Sequence, residues 1–143
     1  ATVALRISQE HDGDGEHTYK MPHTFQQTDV AASQSAVAIA VAGTSVVNEI
    51  EMPWAGSVVG ISVLTNDSRT AGTLTVDATI NGTVTGLQAV LDGTNTTHHS
   101  GTQAKDTDAF SAGDRLGVKI TTDAGWLPVT ADIVVVVYVS FNS

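Results

Sequence analysis

The chain has no cysteine, few cations and few aromatic rings. Without Cys, disulfides, thiolate metal sites and cysteine nucleophiles are excluded together, and stability has to come from packing or assembly. Six Lys and Arg stand against fifteen Asp and Glu, a formal net charge of −9. Nucleic-acid binding needs clustered cations that displace counterions, so nucleic acid is not an expected partner. The most apolar stretch, residues 131–139, is far short of the roughly 20 residues of a membrane-spanning helix, and no membrane partner is expected either. No signal-peptide pattern is visible, and a start at Ala1 fits simple removal of an initiator Met. Phosphate-loop, dinucleotide, zinc-protease and nucleophile-elbow motifs are all missing.

What is present is β-branched and polar. Hydrophobic residues make up 41% of the 143 positions and charged ones only 15%, enough for one folded domain. Thr and Val lose rotamer freedom in a helix but pack well on a pleated sheet, and no segment has a convincing helical period. Residues 1–8 alternate, with Val3, Leu5 and Ile7 on one face. The Asp12-Gly13-Asp14-Gly15 turn then leads to His17, Tyr19 and Met21, which predicts a hairpin or strand-loop-strand arm. Residues 22–34 are polar and unpatterned and read as a linker. The expected division is therefore an arm over 1–34 and a body over 35–143. In the body, alternation predicts strands over 35–41 and 46–52, the latter stopped by Pro53, and over 57–64. The strongest local signal is the hairpin of residues 73–80, Asn81-Gly82 and the strand from Thr83, because Asn-Gly takes the positive φ that a type I′ turn requires. Residues 88–91 read as a further strand and 92–108 as a long polar loop. Strands over 115–121 and 131–141 complete the set. The apolar run 133–139 reads as a strand covered on both faces, either between two sheets or between a sheet and a neighbouring subunit. Eight or nine strands with short turns predict an all-β fold, a jelly-roll-like β-sandwich with an N-terminal strand-containing arm.

The candidates for chemistry are weak. His98 and His99 are adjacent, so in an extended chain they point to opposite sides, and in a loop such a pair more often faces water than shares one ion. The segment 11–17 gathers Asp, Glu and His but lacks the spaced acids and distal Glu of a calcium loop, and a solvated turn is the better reading. Asp77, Asp92, Asp114 and Asp132 could form a glycosidase pair only by number. Asp114, after Gly113, fits a carboxylate that accepts backbone N–H groups in a turn. No catalytic residue, metal ligand or cofactor site is assigned. Trp54 and Trp126 could anchor an interface, stack on a sugar or sit in the core. Trp126 and Leu127 are side by side in a turn-like context where both are not expected to be buried, which favours an interface.

Between residues 52 and 139 the order of turns and strands resembles jelly-roll modules of phage virion proteins, both head decoration and fibre-type. The residues that carry it are Trp54-Ala55-Gly56-Ser57-Val58-Val59-Gly60, Thr70-Ala71-Gly72, Asn81-Gly82, Ala112-Gly113-Asp114-Arg115-Leu116-Gly117-Val118 and the approach to the last strand over 128–135. The chain looks similar to the trimeric decoration proteins of tailed phages, which clamp neighbouring capsid subunits at three-fold positions. That resemblance implies a non-enzymatic structural protein, made in the host cytoplasm, that binds the capsid exterior as a homotrimer and stabilises it. Its partners would be the major capsid protein and further copies of itself. The candidate capsid-facing residues are Val3, Leu5, Ile7, Tyr19 and Met21. The candidates for a trimer interface or binding loop are Trp54, Trp126 and Leu127. A receptor- or carbohydrate-binding fibre or tail module is the alternative, with a jelly-roll enzyme third.

Overall fold

A computed structural model describes residues 19–142. The alternating segment 1–8, with Val3, Leu5 and Ile7, and the Asp-Gly turn lie outside the described residues. The described residues form eleven strands and no helix: β1 (Met21–Gln27), β2 (Val37–Ala38), β3 (Ala40–Val41), β4 (Glu49–Glu51), β5 (Gly56–Thr65), β6 (Leu74–Ile80), β7 (Thr83–Leu91), β8 (His98–Thr102), β9 (Ala109–Phe110), β10 (Arg115–Thr122) and β11 (Ile133–Phe141). One sheet has the order β3-β1-β11-β5-β8, with β9 also on β5; the other has the order β2-β10-β6-β7, with β4 also on β10. Except for β6–β7 and β8–β9, each strand is followed by one in the opposite sheet, and the strand pairings are antiparallel. That is jelly-roll connectivity.

Period-2 alternation builds the core. Val135 and Val137 on β11, Ile61 and Val63 on β5 and Phe25 on β1 face Val76, Leu91, Val118 and Ile120 of the other sheet, all nearly inaccessible to water. The hairpin turn is as read from Asn-Gly: Asn81 has φ 53° and Gly82 φ 82°, the two positive values of a type I′ turn. Just beyond it the β6–β7 register shifts near Asp77 and Thr79, so residues 83–91 form one irregular strand rather than two.

Three more expectations change. The stretch 22–34 is not a linker throughout, because Met21–Gln27 pairs along its whole length with β11 and buries Phe25 completely, as Val30 is buried after it. Polar His23 and Gln27 flank Phe25 on the inward face of the strand, so its sequence shows no apolar alternation. Residues 35–41 do not form one strand. Val37-Ala38 pairs with β10 and Ala40-Val41 with β1, while buried Ile39 marks the crossing between sheets. The loop 92–108 contains β8, paired to β5. Of the two alternatives for β11, a place between two sheets of the chain is excluded, because its outer face is open within the chain: Val135 and Val137 are fully buried, yet Val134 is 43% exposed.

Candidate interaction surface

The sequence candidates fall at opposite ends of the sandwich. At one end β1 begins and β11 finishes: Met21 pairs with Val139, two residues before Phe141. Tyr19, Met21 and Trp54 are all exposed here, Trp54 at 64% of its maximum. Trp54 sits where Pro53 has ended β4, on a link tied at both sides. Met52 is buried and its N–H donates to the Asp114 carbonyl at 2.8 Å, while Asn142 N–H donates to the Ala55 carbonyl at 2.9 Å. The indole meets Phe141 edge to face, with centroids 5.5 Å apart, and Phe141 meets buried Phe110 in the same manner at 6.1 Å. Three rings thus lead from the core to solvent, and the outermost is held in place before any partner arrives. The rings close over Gly56, where a Cβ would collide with the Ser140 carbonyl; only Gly allows that approach. Sequence reading missed Phe110 and Phe141. The available signal was their spacing, since each is the last residue of a strand beside a small-residue neighbour.

The turn next to this end is organised by Asp114. Its Oδ2 accepts the Ser111 N–H at 2.8 Å and its Oδ1 accepts Asn81 Nδ2–H at 3.1 Å. These bonds, the backbone one first, hold the carboxyl below its ordinary range. The Asp114 role read from the sequence is therefore the one observed. Beside it, Arg115 and Glu49 form an exposed ion pair at 3.0 Å.

At the other end Trp126 departs from its assignment. It is fully buried and its Nε1–H donates to the Val30 carbonyl at 3.1 Å, so it cannot serve as a partner anchor or a sugar platform. The cause is the tight turn before it: Asp123 accepts the Gly125 N–H, and Gly72 at φ 70° lies so close to Trp126 N that no Cβ would fit. Leu127 takes the outward position instead, 49% exposed, with its N–H on the Ala71 carbonyl. One of the two neighbours is buried and one is not, but the buried one is the tryptophan.

The histidines do not converge. His99 lies opposite inward-facing Val63 and accepts the Val90 N–H on Nδ1, while His98 lies opposite outward-facing Leu64. His23, on β1, is half-buried, and desolvation pushes its pKa down. A cleft of about 420 Å³ opens where the chain crosses between sheets, lined by residues such as Gln26, Ile39 and Asn48. Its lining has no titratable side chain, so it offers neither a general acid nor a base.

No protein-family model and no curated protein matches the chain. Solved structures do match. A chain in the acidic stable capsid structure of Helicobacter pylori bacteriophage KHP30 is similar over 90% of this chain and 92% of its own, at TM-score 0.52 and 12% identity. The fold occurs in a phage capsid. A chain of the cyanophage Pam1 capsid asymmetric unit aligns over 99% of both chains, at TM-score 0.49 and 13% identity. At such identities the likeness extends to the fold and no further.

Proposed function

We propose that this jelly roll is a structural protein of a phage particle that binds the outer surface of the capsid as a homotrimer and reinforces it, without catalysing a reaction. The observation that carries the reading is the aromatic end, where Trp54, Met21 and Tyr19 are exposed at the side of the sandwich on which β1 begins. The fold shared with a chain of a phage capsid structure supports it. Buried tryptophan and apolar rings at an interface centre contribute most of the affinity in protein contacts, and Trp54 is already positioned by Phe141. Val3, Leu5 and Ile7 alternate in sequence and would add as a strand to a sheet edge of the major capsid protein, with the ladder giving affinity and the apolar side chains specificity. Three such segments on a trimer would bind multivalently. The sugar-binding alternative loses its principal platform, because Trp126 is buried.

The test is co-sedimentation of the full-length protein with particles of its own phage stripped of it. The wild type should rebind at fixed stoichiometry, and Leu5→Asp or Trp54→Ala should lower affinity by at least about tenfold, the size expected for losing an anchor. Failure of the wild type to bind particles would refute the assignment. Normal binding by both variants would move attachment elsewhere on the body.

A further inference from the structure

The outer face of the six-stranded sheet is unusual for so acidic a chain. Cross-strand partners share a face, so the register places Val134 beside Leu64, Val136 beside Ser62 and Tyr138 over Gly60. These are the residues that make 133–139 a continuous apolar run, and they point away from the core. Leu64 is 58% and Val134 43% exposed; Val136 and Tyr138 are partly so. On either side, β1 and β8 present only Pro, Thr, Gln, His and Ser on this face. No Asp, Glu, Lys or Arg occupies any of these outward positions, although the chain has 21 such residues, 6 basic and 15 acidic. Charge begins only beyond the strands, as at Asp132. The other sheet is the opposite case. There Asp77 pairs directly with Lys119, and Arg115 with Glu51, a solvated surface with both signs.

We infer that this uncharged face is where copies of the chain meet one another. The inference deepens the trimer part of the proposed function and rests on it. The occupant follows from charge. Two chains each carrying −9 repel wherever carboxylates are brought together, and like-charge contacts cost several kcal/mol. A surface evolved for a basic partner would offer acids; one that must accept an identical acidic chain has to be free of them. The face also has the layout of a protein interface, with an aliphatic centre, one tyrosine and a hydrogen-bonding rim. Gly60 leaves room beside Tyr138, whose ring a Cβ there would touch at 3.5 Å.

The experiment uses the full chain. Wild type, Val134→Glu, Leu64→Glu and, as a control on the charged sheet, Val84→Glu are compared by sedimentation equilibrium at micromolar concentration, with circular dichroism on each. The wild type and the control should have trimer mass. The two face variants should keep the β spectrum and associate at least about tenfold more weakly, the least that loss of a central contact should cost. As a second readout, the absence of native Cys allows Leu64→Cys and Val84→Cys to be compared for thiol labelling. The Leu64 position should react at least about tenfold more slowly, as expected of a desolvated interface centre. Trimeric face variants with a freely labelled Leu64 position would overturn the inference and leave self-association standing. A monomeric wild type would overturn self-association itself. Trimeric face variants that no longer bind particles would give the face to the capsid.

Discussion

Replacing Trp126 by Phe separates a core tryptophan from a surface anchor. The indole is fully buried and donates to the Val30 carbonyl at 3.1 Å. A phenyl ring in its place leaves part of the site empty. Full truncation of a buried Trp to Ala costs about 3–5 kcal/mol, and the smaller change to Phe should cost about 1–2 of that. The Val30 carbonyl also loses its indole donor, and an unsatisfied buried acceptor costs about 1–3 kcal/mol. Together the loss is about 2–5 kcal/mol, a substantial part of the roughly 5–15 kcal/mol typical of a whole domain. For a domain of this size, Tm should fall by roughly 8–20 °C. The two tryptophans make fluorescence a direct companion to urea titration. Trp126→Phe should remove the component shielded from acrylamide and leave the accessible one from Trp54, and Trp54→Phe should do the reverse with little change in Tm. A stability loss below about 0.5 kcal/mol, the range of ordinary surface substitutions, would refute the burial argument.

Two further outcomes follow from the turn and from the half-buried histidine. Gly82→Ala meets no atom within 4 Å but sits at φ 82°, so the cost is backbone strain alone, about 1–2 kcal/mol by urea midpoint; no change would mean the turn is not type I′. His23 has its pKa lowered from 6.5, chiefly by burial, so the unfolded chain takes up its proton first. Its contribution is present above pH 6.5 and is lost as pH falls through the lower folded value, whereas the lowered Asp92 and Asp114 lose theirs only below 3.8. His23→Gln should therefore flatten the decline of Tm just below pH 6.5 and leave the acid limb in place. An unchanged profile would assign that decline to another group.

The sequence was legible where one local rule dominated. Asn81-Gly82 and the valine alternation of the last strand need no tertiary information, because turn chemistry and period 2 act over a few residues. Reading failed where pairing overrode composition. β1 is mostly polar, yet it lies between β3 and β11 because Phe25 fills the core and its backbone completes two ladders. β8, with the sequence His-His-Ser-Gly-Thr, has no apolar alternation at all; Gly101 is admitted against the Gln88 carbonyl, where any Cβ would collide. Such a strand is specified by its neighbours. The candidate surface was half legible. Trp54 and Trp126 are the same residue type, and only the hydrogen bond to Val30 and the stack on Phe141 assign one to the core and the other to solvent.

The place of β1 bears on how attachment and self-association would coexist. A chain whose first described strand were a detached arm could swing, and removing residues up to 33 would leave the body whole. Here that deletion would strip β11 of its partner on one side and empty the sites of Phe25 and Val30, so only the residues before Tyr19 are available to act as a free attachment segment. Tyr19, the first described residue, lies at the end that presents Trp54, whereas Val134, Leu64 and Val136 lie on the flank of the same sheet. Strand ends and sheet faces are roughly perpendicular surfaces. Copies meeting through the flank would therefore leave every aromatic end uncovered, all three directed along the strands. Trimer formation would not compete with capsid binding, and each would be open to mutation without loss of the other.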